Sequence, residues 1–356
     1  MRIKNGTIEF NEQDLNFVEK VGLMEAVGMV LDFSTHNKVP FIYDTYQLAH
    51  ILRSSRKELF YFTRECNEKY HYTKIQKKNG GFREICAPYR GLKFIQQQIL
   101  KNIIYKIPIS KYATAYAPGS KLIDNAKPHC GKKYLLKIDL CDFFGSITFQ
   151  QIYSCAFNTR YYPKQIGTIL TTLCCRNDVL PQGAPTSPAL SNIVMKSFDD
   201  YFGKWCEKQN FSYTRYCDDI TISGNKPLYF TFKKAKSMLE KMGFQLNEKK
   251  TRFITNADCQ LVTGLTVNER ARIPSQYRRN LRQELYYVIK FGAVEAMLNS
   301  KRYTPKTDVS QNAAVFHYLD SLEGQLCYVL QIEPDNDYFK NILPEFKKIK
   351  AEYLRN

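Results

Sequence analysis

The stretch YTRYCDDITISG, residues 213–224, predicts a buried β-hairpin with two adjacent carboxylates at its turn. Asp218 and Asp219 repel each other when both are ionised, and the residues that follow, Ile220 and Ile222, are apolar. Solvation alone offsets that repulsion poorly beside apolar residues. A divalent cation would offset it, because such cations bind carboxylate oxygens as ligands. The pair therefore predicts half of a metal site that handles phosphate groups.

A third carboxylate lies near the end of another apolar strand. YLLKIDLCDFFGSIT, residues 134–148, opens with a run suited to a central strand and places Asp139 near its end. If this strand neighbours the hairpin in one sheet, the three carboxylates converge as two-metal phosphoryl transfer requires. A second Asp-Asp pair, Asp199 and Asp200, is a useful comparison, because we expect both of its carboxylates to be solvated on the polar side of an amphipathic helix.

Length and composition are those of an ordinary globular protein, but the charge is unusual. The 356 residues suffice for two or three lobes, and 44% of them are hydrophobic and 24% charged. Fifty-two Lys and Arg against 34 Asp and Glu give a net charge of +18, which favours a nucleic-acid partner. A merely soluble basic protein, or one bound to an acidic membrane surface, is the alternative.

Cysteine usage and hydropathy favour a cytoplasmic protein with no membrane partner. The 11 cysteines are scattered without metal-ligand spacing and are expected to be small buried apolar residues. No apolar run approaches the roughly 18 residues of a membrane span, and the N-terminus lacks the apolar core of a signal peptide.

The remaining pattern predicts a mixture of helices and short strands. Residues 1–70 indicate an N-terminal helical extension, and Asn79–Gly81 predicts a second hairpin. LPQGAPTSP leads into a helix with Ser187 as its N-cap and Pro188 at the first helical position. That helix would bury one face, made of Leu190, Ile193, Val194, Phe198, Tyr201 and Phe202. CQLVTGLTV predicts a short strand, and a separate helical lobe is indicated by segments near 275–291, 311–331 and 338–355.

The order of these motifs resembles that of the reverse transcriptases. KIDLCDFF is similar to the first catalytic motif of that family, LPQGAPTSPALSN to the second, YCDD to the third, GFQLNEKKT to the basic motif that follows, and KKNGGFREICAP to the fingers segment that binds incoming nucleotide. The resemblance implies an α+β fold, a right-hand polymerase with fingers, a palm with an antiparallel catalytic sheet, and a helical thumb. The implied bounds, after the extension, are fingers 71–133 and 146–185, palm 134–145 and 186–268, and thumb 269–356.

The same resemblance implies roles by motif position. Asp139, Asp218 and Asp219 would be catalytic and would hold two Mg²⁺ ions. Phe144 would be the steric gate that excludes a ribonucleotide 2′-OH, and a plain core aromatic is the alternative. Contacts to the nucleotide are implied for Lys77 or Lys78, Arg83, Gln182, Gly183 and Lys250. Cys217 stands where bacterial members usually carry Ala, and activity is expected to survive because a small side chain is retained.

Two shorter elements resemble those of retron reverse transcriptases. Asn125 and His129 match an NAxxH element, and Val262, Thr263 and Gly264 match a VTG element. RNA contacts are predicted for these five residues, with a satisfied structural role as the alternative for His129. A C-terminal helix adds a basic set that would contact RNA or else form a solvated helix face. This set is Arg278, Arg279 and Arg282.

Membership of the retron group would define the biological setting. Such an enzyme copies part of its own structured non-coding RNA, the msr-msd transcript, into branched single-stranded DNA, beginning from a guanosine 2′-OH. Its partners would be that RNA, the DNA product, dNTPs and an effector protein encoded nearby, acting together in anti-phage defence.

Two other functions stay open at this point. One is another bacterial reverse transcriptase, from a group II intron, a diversity-generating element or an abortive-infection system. An intron-encoded protein is expected to carry a maturase or endonuclease region beyond the thumb. The other is a non-catalytic RNA-binding scaffold, which degenerate carboxylates would mark, whereas Asp139, Asp218 and Asp219 are all present.

Overall fold

The structure is a computed structural model that describes the backbone of residues 2–4 and 7–9 and, with side chains, residues 39–76, 80–304 and 310–353. The chain divides into two compact units, the first made of 1–121 with 136–253 and the second of 122–135 with 254–356. Within the described ranges, none of the helices has the length and apolar character needed to cross a bilayer.

The bounds of the elements are as follows. The strands are β1 Arg2–Lys4, β2 Thr7–Glu9, β3 Tyr70–Gln76, β4 Phe82–Pro88, β5 Tyr134–Asp139, β6 Ser212–Tyr216, β7 Asp219–Gly224, β8 Arg252–Thr255, β9 Leu261–Val262 and β10 Leu265–Thr266. The helices are α1 Thr45–Ile51, α2 Arg56–Arg64, α3 Arg90–Asn102, α4 Leu122–Ala126, α5 Phe149–Ala156, α6 Lys164–Cys174, α7 Ser187–Lys208, α8 Tyr229–Lys241, α9 Ser275–Phe291, α10 Ala293–Asn299, α11 Gln311–Ile332 and α12 Asp337–Tyr353.

A four-stranded sheet in the order β6-β7-β5-β8 carries the two carboxylate motifs. β6 and β7 form the predicted antiparallel hairpin, with Tyr216 opposite Asp219 and Arg215 opposite Ile220. Cys217, in the turn, has a φ of 60°. β5 lies between β7 and β8, so the prediction of a central strand ending in Asp139 is confirmed.

Helix α7 begins one residue earlier than predicted. Ser187 is its first residue, and the preceding Thr186 makes no side-chain cap hydrogen bond. The Ser187 hydroxyl instead donates to the carbonyl of Pro181 at 2.8 Å. The prediction of Ser187 as N-cap was therefore wrong, because this side chain closes the LPQG loop rather than accepting an N–H of the helix.

The expected solvation of Asp199 was also wrong. Asp199 is 0% exposed, whereas Tyr201, predicted to be buried, is 56% exposed. The buried face of α7 includes Asp199 instead of Tyr201, because the Asp199 carboxylate is paired with Arg215 of β6. Asp200 is partly exposed and forms an ion pair with Lys196, as expected of a surface carboxylate.

The second predicted hairpin is confirmed as β3 and β4. The two strands pair antiparallel from Tyr70 opposite Pro88 to Gln76 opposite Phe82. Residues 77–79 of its turn lie outside the described residues. In the N-terminal region, β1 and β2 form a further antiparallel pair that was not predicted, although the Asn5-Gly6 sequence between them is a hairpin signal.

The second unit has its own apolar core, built from α9, α10, α11 and α12 together with β9 and β10. The predicted helical lobe is present, but Gly292, with a φ of 85°, ends α9 and starts the short extra helix α10. CQLVTGLTV is a hairpin rather than one strand, because Thr263 and Gly264 adopt φ values of 47° and 82° that reverse the chain. This unit also includes 122–135 and 254–268, which we expected in the fingers and palm.

The cysteines only partly follow the expectation of buried small residues. Cys155, Cys259 and Cys327 are exposed, whereas Cys174 and Cys175 are buried, and all are free thiols. Burial raises the pKa of the Cys174 thiol to about 12, so this thiol stays protonated and inert.

Candidate active site

Three carboxylates meet where neighbouring strands begin and end. Asp139 is the last residue of β5, Asp219 is the first of β7, and Asp218 lies in the turn before it. Burial raises the pKa of Asp219, and the negative charges of Asp218 and Asp139 raise it further against the opposing effect of Lys137 and Lys250. The three carboxylates are therefore close enough to repel one another, and Asp219 is partly desolvated.

The basic motif is hydrogen-bonded to the strand that carries Asp139. The ammonium of Lys250 lies 2.9 and 3.1 Å from the two carboxylate oxygens of Asp139. The backbone N–H of Asn247 donates to the Asp139 carbonyl at 2.8 Å, and Leu140 pairs with Leu246 in an antiparallel bridge. The hydrogen bond to Asp139 raises the pKa of Lys250, so this lysine is the resident counterion of the carboxylate.

The three side chains have suitable ligand atoms for a divalent cation, but in this structure they do not form a complete coordination site. All three side chains offer carboxylate oxygens, which are hard ligands, and a cation, the ammonium of Lys250, already contacts Asp139. Across the described ranges, no group of three or more His, Cys, Asp or Glu side chains is placed to hold one metal ion. A cation shared by Asp139, Asp218 and Asp219 would therefore compete with Lys250 for the Asp139 carboxylate.

The two phenylalanines after Asp139 have different surroundings. Phe143 is 4% exposed, and its ring lies 5.7 Å from that of Phe244. Phe144 is half-buried, with its ring 5.5 Å from that of Phe143. Phe143 is thus the inward-facing member of the pair, which leaves Phe144 available for the predicted gate.

The LPQG loop is held against the hairpin that carries Arg83. The carbonyl of Gln182 accepts from the backbone N–H of Cys86 at 2.7 Å. Gly183 has a φ of 130°, and a Cβ built on it would lie 2.8 Å from Cγ2 of Ile85. Glycine is required here by the approach of β4 and by the backbone conformation. Lys77 lies outside the described residues, and the nucleotide contacts stay a prediction.

The two retron-like elements pack together inside the second unit. Asn125, His129 and Val262 are all buried, and Nδ2 of Asn125 lies 3.5 Å from Oγ1 of Thr263. Gly264 is exposed at the turn. The burial of His129 favours its structural role, and RNA contact by these five residues stays a prediction.

The buried imidazole of His129 predicts a loss of stability in acid. Burial, assisted by the charge of Lys132, lowers the pKa of His129 to about 3 from an ordinary 6.5. Between these values the unfolded chain binds a proton that the folded chain does not, so stability is present above pH 6.5 and falls as the pH is lowered. At pH 5 the loss from this group is about 2 kcal/mol.

Denaturant unfolding at pH 7.5 and pH 5 measures this effect. We expect the free energy of unfolding to fall less in His129→Asn than in the natural protein, because Asn carries no titrating proton. An equal fall in both proteins would assign the acid sensitivity to other groups.

The predicted basic set on α9 is divided between intramolecular contacts and solvent. Nη1 of Arg278 lies 3.2 Å from a carboxylate oxygen of Glu333. The guanidinium of Arg282 lies over the Tyr338 ring, 4.7 Å from its centroid, and Arg279 is exposed. Arg278 therefore has a structural partner, whereas Arg279 and Arg282 remain accessible on this helix.

Sequence reasoning missed the residues that surround the turn formed by Cys217 and Asp218. The ring of Tyr116 lies 6.3 Å from that of Tyr216, and a buried cluster of Asp199, Tyr213 and Arg215 lies behind the turn. A usable signal was present, because an arginine in a strand of otherwise uncharged residues requires a buried anion.

Comparison with known proteins places these motifs in a family. Residues 75–285 match the family "Reverse transcriptase (RNA-dependent DNA polymerase)". The Retron Ec83 reverse transcriptase of Escherichia coli is 33% identical over 236 residues, which cover 62% of this chain and 75% of that protein. The chain belongs to the retron reverse transcriptases.

A second relative of this reverse transcriptase covers more of both chains. The Retron Ec86 reverse transcriptase of Escherichia coli is 27% identical over 296 residues, 80% of this chain and 91% of the relative. Among solved structures, telomerase from Candida albicans with a TWJ fragment of telomeric RNA has a TM-score of 0.42 and 13% identity, covering 80% of this chain and 63% of that one.

Family membership fixes the class of reaction. This reverse transcriptase is an RNA-directed DNA polymerase of the α+β class, with a right-hand polymerase fold, and its family uses divalent metal ions. The predicted enzyme class and fold class are therefore confirmed, and RNA is its template.

Proposed function

We propose that this reverse transcriptase copies part of a cognate structured msr-msd RNA into branched single-stranded DNA, starting from a guanosine 2′-OH. The observation that carries the chemistry is the meeting of Asp139, at the end of β5, with Asp219, at the start of β7, and Asp218, in the turn before it. The similarity to retron reverse transcriptases supports the branched product. The NAxxH and VTG elements that pack together through Asn125 and Thr263 support the same assignment.

The residues suggest how each step is carried out. Asp139, Asp218 and Asp219 would hold two Mg²⁺ ions, which would supply positive charge for the attacking oxygen and the triphosphate. Lys250, whose ammonium contacts Asp139 in this structure, would supply a positive charge for the leaving pyrophosphate. Arg83, exposed on β4, faces the triphosphate from the fingers in this proposal.

The remaining contacts concern the nucleotide and the RNA. Gln182 and Gly183 hold the incoming sugar through the loop that is bonded to β4, and Phe144 excludes its 2′-OH. We assign Arg279 and Arg282 to phosphates of the RNA or of the primer duplex. Both arginines lie in residues 269–356, the predicted thumb.

We further propose a setting in the cytoplasm and in anti-phage defence. The partners are the non-coding RNA, its DNA product, dNTPs and an effector protein encoded nearby. The net charge of +18 supports a large polyanionic partner. The defence role and the effector follow from retron membership rather than from any residue of the site.

Nucleic acid that co-purifies with the protein tests the proposal. We expect an RNA joined to a short DNA through a 2′ branch at one guanosine, which a debranching nuclease separates into two strands. The matched sample is Asp218→Ala, which should retain the RNA without the DNA. An unbranched DNA product from the natural enzyme would overturn the retron priming step and leave the polymerase intact.

A further inference from the structure

A buried ionic cluster lies directly behind the catalytic turn. Arg215, on β6, and Asp199, on α7, are both 0% exposed. Nε and Nη2 of Arg215 donate to Oδ1 and Oδ2 of Asp199 at 2.9 and 2.6 Å, a two-pronged pairing. The Tyr213 hydroxyl donates to Oδ1 of Asp199 at 2.6 Å. Asp199 is thus held by three donors from one strand of the hairpin.

The guanidinium also reaches the turn itself. Nη1 of Arg215 donates to the carbonyl of Cys217 at 2.9 Å. Cys217 has a φ of 60°, a left-handed conformation that is costly for a residue with a side chain. The next two residues are Asp218 and Asp219. One guanidinium therefore links helix α7 to the Cys217–Asp218 peptide unit, which directly precedes Asp219.

The backbone of Arg215 is fixed on its other side as well. Its N–H donates to the Tyr112 carbonyl at 2.9 Å, and its carbonyl accepts from the N–H of Thr114 at 2.9 Å. The base of the guanidinium is therefore rigid. Because the backbone of Arg215 is fixed and Asp199 sets the plane of its guanidinium, Nη1 can donate in only one direction.

Stability alone is a poor explanation for this pair. Removing two charges from water is costly, and replacing a buried pair by apolar residues of similar volume is often neutral or stabilising. An apolar replacement would, however, leave the Cys217 carbonyl without its donor. The distinctive contribution of the pair is therefore to fix the conformation of the turn at Cys217.

We propose that Asp199 and Arg215 are positioning residues that lock the turn at Cys217 and so aim the carboxylates of Asp218 and Asp219 at the metal ions. The inference rests on the proposed catalytic role of these two carboxylates.

The test variant removes the device without leaving a buried charge. Tyr213→Phe/Asp199→Leu/Arg215→Met replaces each polar side chain by an apolar one of similar size. We expect a cooperative thermal transition, amide hydrogen exchange at residues 217–219 that is faster by about 10-fold, and a Mg²⁺ concentration for half-maximal dNTP incorporation that is higher by about 10-fold. Hydrogen exchange is measured without metal and reports the turn directly.

Two controls separate positioning from stability. Tyr213→Phe leaves every bond of Arg215 intact, and we expect both readouts to stay within about twofold. Glu284→Gln disturbs another buried carboxylate, which accepts from Tyr318 at 2.6 Å and Arg302 at 3.1 Å in the second unit. That variant should melt earlier with unchanged exchange at the turn and an unchanged Mg²⁺ requirement.

The outcomes that overturn the inference are distinct from those that overturn the catalytic assignment. A folded triple variant with unchanged turn exchange and Mg²⁺ requirement would make the cluster purely structural. If the triple variant does not fold, Arg215→Lys takes its place, because one ammonium keeps the buried charge but cannot span Asp199 and Cys217. An unchanged Mg²⁺ requirement in Arg215→Lys would equally refute positioning, whereas full activity in Asp218→Ala would refute the catalytic assignment itself.

Discussion

Asp218→Ala should reduce dNTP incorporation by about a thousandfold or more while leaving RNA binding unchanged. The carboxylate lies in the turn beside Asp219, where the proposed cations stabilise charge that exists only in the transition state. RNA affinity depends on cationic side chains rather than on this acid. Primer extension on an RNA template measures the first quantity, and a filter-binding assay measures the second.

The chain supplies a matched control for this experiment. Asp200 also belongs to an Asp-Asp pair, but it forms an i,i+4 ion pair with Lys196 on a helix surface. Asp200→Ala should retain incorporation within about twofold, because surface pairs contribute little. Full activity in Asp218→Ala would remove the metal-site hypothesis.

Phe144→Ala should admit ribonucleotides. Phe143 occupies the core against Phe244, and Phe144 is left half-buried beside the strand end that carries Asp139. If Phe144 is the proposed steric gate, removing its ring should lower the ratio of kcat/KM for dNTP over rNTP by about 10- to 100-fold. Single-nucleotide incorporation with each substrate measures that ratio.

Phe143→Leu is the comparison for this prediction. It alters the neighbouring aromatic within the core, so we expect a loss of stability without a change in sugar preference. An unchanged dNTP preference in Phe144→Ala would return Phe144 to the role of a core aromatic.

The sequence predicted the elements whose signals are local. The hairpin around Asp218 and the strand ending in Asp139 were both found because an apolar run with a carboxylate at its end is visible within about ten residues. Their neighbouring positions in one sheet followed from the motif order of a known family rather than from the pattern itself.

The features that were missed depend on partners distant in the chain. Asp199 looked solvated because its partner Arg215 is sixteen residues away, on a strand, so helical periodicity could not reveal the pairing. Lys250 was expected near pyrophosphate, and its hydrogen bond to Asp139, 111 residues apart, has no local signal. The hairpin turn at Thr263 and Gly264 was not predicted within this short apolar run, because threonine rarely adopts the left-handed conformation.

In the proposed mechanism, Asp139, Asp218 and Asp219 share divalent cations. A crystal grown with Mn²⁺, an RNA–DNA primer duplex and a non-hydrolysable dNTP tests it through the anomalous signal of manganese. We predict Mn²⁺ peaks at coordination distance from all three carboxylates, with Lys250 withdrawn from Asp139. A bound nucleotide with no peak between β5 and β7, and with Lys250 still on Asp139, would contradict the account.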